Sequence, residues 1–172
     1  MVAEPLDGHD GPYAAPIALG PWHVLPDWID YNGHMNVAYY TMALDDAMDA
    51  FLEDTLGLGE SYVARQQMGP YALQSGVNYL GELREGDAFS FELILLDHDA
   101  KRMHLCAIMR DVAKNTAAAV FETMVINVDL KTRKSAPYPD WALTRLSALQ
   151  SAHQGVERPE SLGRPIGIRR AG

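Results

Sequence analysis

The sequence predicts an α+β domain in which a curled antiparallel sheet wraps one long central helix. Three observations carry this. Apolar residues recur at three- and four-residue spacing from Val37 to Leu56. From Tyr71 onward the period changes to two, in four successive runs. The connections between those runs are too short for crossovers, so the strands must be antiparallel neighbours.

Taken in order, residues 1–20 carry acids and prolines and read as a loose N-terminal arm. They lack the basic start and apolar stretch of a secretory signal. Residues 21–26 (PWHVLP) read as a short strand closed by Pro26, and a loop runs on to Asn36. The helix over 37–56 places Tyr40, Ala43, Leu44, Ala47, Met48, Phe51 and Leu52 on one face. Thr41, Asp45, Asp49 and Glu53 lie on another. Asn36 suits the N-cap and Gly57 the residue just past the end. Alternation then marks strands over 71–79, 89–95, 103–110 and 120–128, separated by Glu85-Gly86-Asp87, Asp97-His98-Asp99 and Lys114-Asn115. A last helix is expected over 141–150, after Pro137 and Pro139. The domain thus spans 21–153, and residues 154–172, rich in Pro, Gly and Arg, read as a flexible tail or partner-wrapping arm.

The chain has 172 residues, one domain's worth and enough to bury a core. Its formal net charge of −9 argues against nucleic acid or an anionic membrane as the main partner. No apolar run approaches the roughly 20 residues that span a bilayer. The single cysteine, Cys106, excludes an intrachain disulfide and fits a cytoplasmic location.

Nucleotide-binding glycine loops, the nucleophile elbow of serine hydrolases and zinc-ligand spacings are all absent from the sequence. No metal or cofactor is therefore expected, and carboxylate, amide and imidazole chemistry remains. It concentrates in Asp30-Tyr31-Asn32-Gly33-His34-Met35-Asn36, directly before the helix. A helix start offers unpaired N–H groups and partial positive charge, which can hold a carbonyl oxygen as it turns negative. Gly33 lets a substrate approach closely. Asp30 can attack the carbonyl or draw a proton from water, while Asn32 and His34 orient water or substrate. The plainer alternative is that Asp and Asn here only shape a turn and a cap. Asp27 competes with Asp30, but its place beside Pro26 favours a turn role.

The string Asp30-x-Asn32-Gly33-His34-Met35-Asn36, followed by Tyr39-Tyr40 inside a helix, resembles the hot-dog-fold thioesterases. These include the 4-hydroxybenzoyl-CoA thioesterase group and the plant acyl-carrier-protein thioesterases, whose motif is Asp-x-Asn-x-His-x-Asn. The resemblance extends to Pro139. Tyr79 to Asp87 is similar to the family's strand ending in a glutamate and a Gly-Asp turn, and Val128 to Lys134 to the end of its last strand. The chain is also similar to the bacterial thioesterases of carnitine breakdown, which act on betainyl-CoA. The resemblance implies hydrolysis of a short or small acyl-CoA, with coenzyme A entering only as part of the substrate. It implies Asp30 as nucleophile or general base, assisted by Asn32, His34 and Glu82. It further implies a dimer or dimer of dimers, with each site between subunits.

Gly33, Met35, Asn36, Tyr71, Tyr79 and Arg133 are the expected substrate-contacting residues. Trp22, Tyr31, Tyr62, Tyr71 and Tyr79 are mostly core and interface material, although a subset suits a quaternary ammonium group. Lys131, Arg133 and Lys134 form the densest basic cluster, a solvated turn or a hold for coenzyme A phosphates. His104 and Cys106 read as ordinary sheet residues. Two rivals remain. An acyl-thioester hydratase is the first, but the family's hydratases carry Asp-x-Asn-Pro-x-His, with one more position before the histidine. A non-enzymatic acyl-CoA-binding module is the second, but the added DNA-binding segment of hot-dog regulators is missing.

Overall fold

A computed structural model describes residues 8–168. Strand β1 (Ile17–His23) leads through a 3₁₀ turn (Pro26–Trp28) and the polar loop to helix α1 (Val37–Ala50). The helix continues as a π-helical segment (Phe51–Leu56) and ends at Gly57, whose φ of 67° is the left-handed value expected past a helix end. Helix α2 (Glu60–Gln66) and strands β2 (Met68–Tyr79), β3 (Ala88–His98), β4 (Arg102–Asp111), β5 (Thr116–Asp129) and β6 (Lys134–Ser135) follow, then helix α3 (Asp140–His153). All pairings are antiparallel, in the order β1-β3-β4-β5-β2, with β6 on the end of β5. Strand β2 is an edge. Among the described residues no helix is long and apolar enough to cross a membrane.

The sheet buries both faces. Phe89, Phe91, Leu93 and Leu95 of β3 and Met103, Leu105, Ala107 and Met109 of β4 point inward. They meet Tyr40, Ala43, Leu44, Ala47 and Phe51 of the central helix. Ile94, Leu96, Cys106, Ile108 and Val120 point outward and form a second apolar cluster. Val156 and Leu162 cover it, Gly163 N–H donates to Glu122 Oε2 at 2.7 Å, and Asn78 Nδ2 donates to the Ser161 carbonyl at 3.4 Å. The expected flexible tail or partner-wrapping arm from 154 is thus corrected: through Gly163 it covers the outer face of its own chain. The run Leu93-Ile94-Leu95-Leu96, apolar on both faces, requires such a cover.

The expected loose arm is corrected in the same way from residue 8 onward. Strand β1 begins at Ile17 rather than Pro21, because Ile17, Ala18 and Leu19 pair with Leu93, Glu92 and Phe91. His9 N–H donates to the Thr55 carbonyl. The buried Arg145 guanidinium bonds Asp10 Oδ1 and the Leu56 carbonyl, both at 2.8 Å.

His153 closes the junction between this segment, β3 and α3. Its Nδ1 accepts from Leu95 N–H at 2.9 Å, just beyond the end of the β1 pairing, and its Nε2 donates to the Ala14 carbonyl at 3.0 Å. Burial pushes its pKa below the ordinary value, partly offset by the Ala14 bond. The unfolded chain therefore binds this proton more readily than the folded one. The contribution to stability is full above the unfolded value of about 6.5 and is lost as pH falls from there through the lower folded value. The midpoint of urea unfolding should drop between about pH 7.5 and pH 5. His153→Gln, which keeps a donor and an acceptor without titrating there, should flatten that drop. Identical pH dependence in both proteins would place its origin elsewhere.

Candidate active site

The polar segment folds as a tight turn docked on the helix start. Gly33 N–H donates to the Asp30 carbonyl at 2.9 Å, and Asp30 N–H to the His34 carbonyl at 3.0 Å. Asp30 Oδ1 accepts from Asn32 N–H at 2.7 Å, leaving its other oxygen without a partner among the described residues. Gly33 adopts φ 81°, which L side chains rarely reach, and no heavy atom lies within 4 Å of where its Cβ would be. A short bridge between Ile29 and Met35 ends the turn. Asn36 then caps α1: its Oδ1 accepts from Ala38 N–H at 2.9 Å and its carbonyl from Tyr39 N–H at 3.0 Å. The N–H of Val37, an exposed residue, has no acceptor among the described residues.

The connection from β2 to β3 meets this turn. Leu83 accepts from Met35 N–H at 2.7 Å. Tyr40, one turn into α1, accepts from Leu83 N–H at 3.2 Å and donates to the Gly81 carbonyl at 3.3 Å. Its ring stands edge-on to Tyr79, with centroids 5.3 Å apart. Glu82, between these anchors, is exposed and pairs with Arg84 at 2.7 Å. The Arg84 guanidinium holds its carboxyl below the usual range, with a smaller contribution from nearby His34. Tyr40→Phe would leave the buried Leu83 N–H unpaired. It should cost about 1–3 kcal/mol of stability and loosen the Glu82 segment, seen as faster amide exchange at Leu83. Unchanged exchange would mean that Tyr40 does not hold the connection.

Asp30, Asn32, Gly33, His34, Tyr79 and Glu82 therefore come together within one chain. Met35 does not join them. It is 1% exposed and belongs to the hydrophobic core, because the bridge to Ile29 turns it inward, so its expected substrate contact is corrected. Asn36 spends its side chain on the cap. Tyr71 and Arg133 lie at the other end of the sheet, where Arg133 Nη1 donates to the Tyr71 hydroxyl at 3.3 Å. Eight residues of strand, about 26 Å, separate Tyr71 from Tyr79. Cys106 is buried and its thiol is pushed up to about 12 by burial and by Glu122, which suits no nucleophile. His104 bonds Glu122 at 2.7 Å on the outer face. Val37, Tyr40 and Leu83 went unrecognised in the site from sequence. Their parts are played by backbone N–H groups or by a hydroxyl that meets its partners 41 and 43 positions away.

A groove of about 830 Å³ runs along α1 toward β2, lined by Thr41, Asp45, Asp49, Tyr71, Ser75 and Thr123. Burial, then the neighbouring Asp45, Asp46 and Glu60 charges, raise the Asp49 pKa. Among the described residues no cluster of His, Cys, Asp and Glu is arranged to hold a metal ion.

The profile of the thioesterase-like superfamily matches residues 24–146. The chain belongs to that superfamily. The match takes in the polar turn, the helix and every strand except β1. This thioesterase is 34% identical to the betainyl-CoA thioesterase of Pseudomonas aeruginosa over 145 residues, 84% of this chain and 91% of that one. It is 32% identical to an L-carnitine dehydrogenase/betainyl-CoA thioesterase of Rhizobium meliloti, covering 91% of this chain but 31% of that longer protein. Among solved structures it superimposes on SAV2348 of Staphylococcus aureus in complex with CoA. There the TM-score is 0.83 and the identity 26%, over 92% of this chain and 100% of that one. A putative thioesterase of Pseudomonas putida gives a TM-score of 0.78 at 26% identity, with the same coverage of both chains. The thioesterase therefore has the hot-dog architecture, with α1 as the wrapped helix.

Proposed function

We propose that this chain hydrolyses the CoA thioester of a small, positively charged acyl group of the betainyl type, with Asp30 as the reacting carboxylate. The observation that carries this is a partly free Asp30 carboxylate in the turn that leads directly into α1, whose first N–H, that of Val37, is open among the described residues. The thioester carbonyl lies at the helix start, where Val37 N–H and the helix dipole stabilise the oxygen as it becomes negative. Asp30 attacks the carbonyl carbon or takes a proton from the attacking water. The C–S bond breaks, coenzyme A leaves as the thiolate and is then protonated, and the acyl group departs as the free acid. Asn32, His34 and Glu82 hold the water and the carbonyl. The carboxylates of Asp45 and Asp49 beside α1 do not touch so short an acyl group and act on it only through their field, which disfavours carboxylated groups and favours cationic ones. The likeness to the Pseudomonas relative, a betainyl-CoA thioesterase by name, supports the same substrate class.

The site is half of a pair. Strand β2 leaves one edge open, and Leu73 on it is 58% exposed. Two copies joined antiparallel along β2, centred on Ser75, set the partner subunit's Tyr71 opposite Tyr79. That pairing brings the partner subunit's Arg133 toward coenzyme A phosphates. The test is incubation with a panel of acyl-CoAs while free thiol is followed. Thiol release is the expected result. An enoyl absorbance change without thiol would make the protein a hydratase, and tight binding with neither would make it a binding module.

A further inference from the structure

A second cavity, of about 380 Å³, lies on the opposite side of α1 from the acid-lined groove. Its walls are Trp22, Trp28 and Phe89, its floor includes Ala43, and Asp46 and His23 stand at its rim. The walls are fixed. Trp22 packs on Phe89 at 6.0 Å between centroids and on Phe91 at 6.2 Å, and a side chain at Gly20 would strike its ring. Trp28 stacks on Tyr39 at 5.4 Å and meets Phe89 at 6.2 Å. Asp46 is exposed and makes no ion pair among the described residues. The volume falls at the lower end of small-molecule pockets, about 300–1,000 Å³.

Rigid aromatic faces with one unpaired carboxylate form a cage for a cation that carries methyl groups rather than N–H donors. An ammonium with free N–H groups would find too few acceptors here to replace its water, whereas a methylated one needs none. We propose that this cavity binds a small quaternary ammonium compound at a site separate from the reaction centre. The separation follows from helix geometry. Ala43 and Asp46 lie seven and ten residues beyond Asn36, about 10–15 Å along the axis. The quaternary nitrogen of a betainyl thioester is only two bonds from its carbonyl carbon, so it cannot reach this cavity while that carbonyl is at the helix start. The occupant is thus a free quaternary ammonium compound, such as the acid that hydrolysis of a betainyl thioester releases. It packs against Trp28, whose carbonyl accepts the Asn36 N–H at 2.9 Å, and so touches the residue that holds the helix cap.

Two of the three tryptophans line the cavity, while Trp141 sits on α3 beside Tyr62 and Arg145. Tryptophan emission of the full chain is titrated with choline chloride against sodium chloride at equal ionic strength. The neutral comparison is 3,3-dimethylbutan-1-ol, which has the same shape without the charge. A saturable change with choline, half-complete at about 1–10 mM, is expected. It should persist in Trp141→Phe and weaken at least tenfold in Asp46→Asn. The neutral alcohol should give no saturable change. No saturation with choline, an equal response to the alcohol, or loss of the signal in Trp141→Phe would each overturn the proposal, whatever the thiol assay shows. Full affinity in Asp46→Asn would overturn the role of the carboxylate and with it the cage.

Discussion

Asp30→Asn is expected to fold as the parent does and to lower kcat by at least about 10²-fold. The substitution separates the two roles that Asp30 can have. As a turn residue, Asp30 contributes an oxygen that accepts the Asn32 N–H at 2.7 Å, and an asparagine Oδ1 accepts the same bond. As a reacting carboxylate, it contributes a negative charge that asparagine lacks. Circular dichroism and the thermal midpoint should therefore remain close to the parent's while turnover collapses. Asp30→Ala should lose both, since it also abandons the Asn32 N–H. Near-normal turnover in Asp30→Asn would reduce Asp30 to the turn residue that its residue type most often is.

Ser75→Pro is expected to abolish the pairing of two copies proposed along β2 and to lower activity by at least about tenfold. Strand alternation fixes which N–H groups are open. Leu130 N–H donates to the Gln67 carbonyl and Leu80 N–H to the Ala118 carbonyl, whereas Asn127 N–H turns the other way, to the Lys101 carbonyl. Even-numbered positions of β5 therefore face β2, and Gly76, paired with Glu122, spends its N–H on β5. The N–H of Ser75 points out of the sheet edge. Proline there removes a donor that the proposed second copy would take, and within one chain it forfeits little beyond the 3.2 Å contact between the Ser75 and Thr123 hydroxyls. Ser75→Ala, which keeps the N–H, should stay dimeric. Molar mass by light scattering and thiol release report the two effects together. A monomeric Ser75→Pro with full activity would show that each chain carries a whole site. A dimeric one would move the interface away from β2.

The helix and the four long strands were legible because each buries a face at its own period. The start of β1 was not, since Pro16 and Pro21 bracket Ile17 to Gly20 and read as punctuation, although Ile17 is buried in the core. Helix α2 has only seven residues and no sustained apolar stripe. The cover from Val156 to Leu162 has no period, and only the doubly apolar run Leu93–Leu96 hints that something must lie there. In the site, the turn from Asp30 to Asn36 was legible because its contacts are local. Met35 was misread because one bridge to Ile29 decides its direction. Tyr71 and Arg133 are expected from sequence to share the substrate site with Tyr79, but the length of β2 places them at the far end of the sheet within one chain.

The most direct test is the ratio of kcat/KM for betainyl-CoA to that for 3,3-dimethylbutanoyl-CoA, its uncharged isostere, followed by thiol release. Hydrolysis of both is expected, with betainyl-CoA favoured at least about tenfold, equivalent to about 1.4 kcal/mol at the transition state. A ratio of one or below would contradict a cationic substrate, and no thiol release from either would contradict the thioester hydrolysis assigned to Asp30.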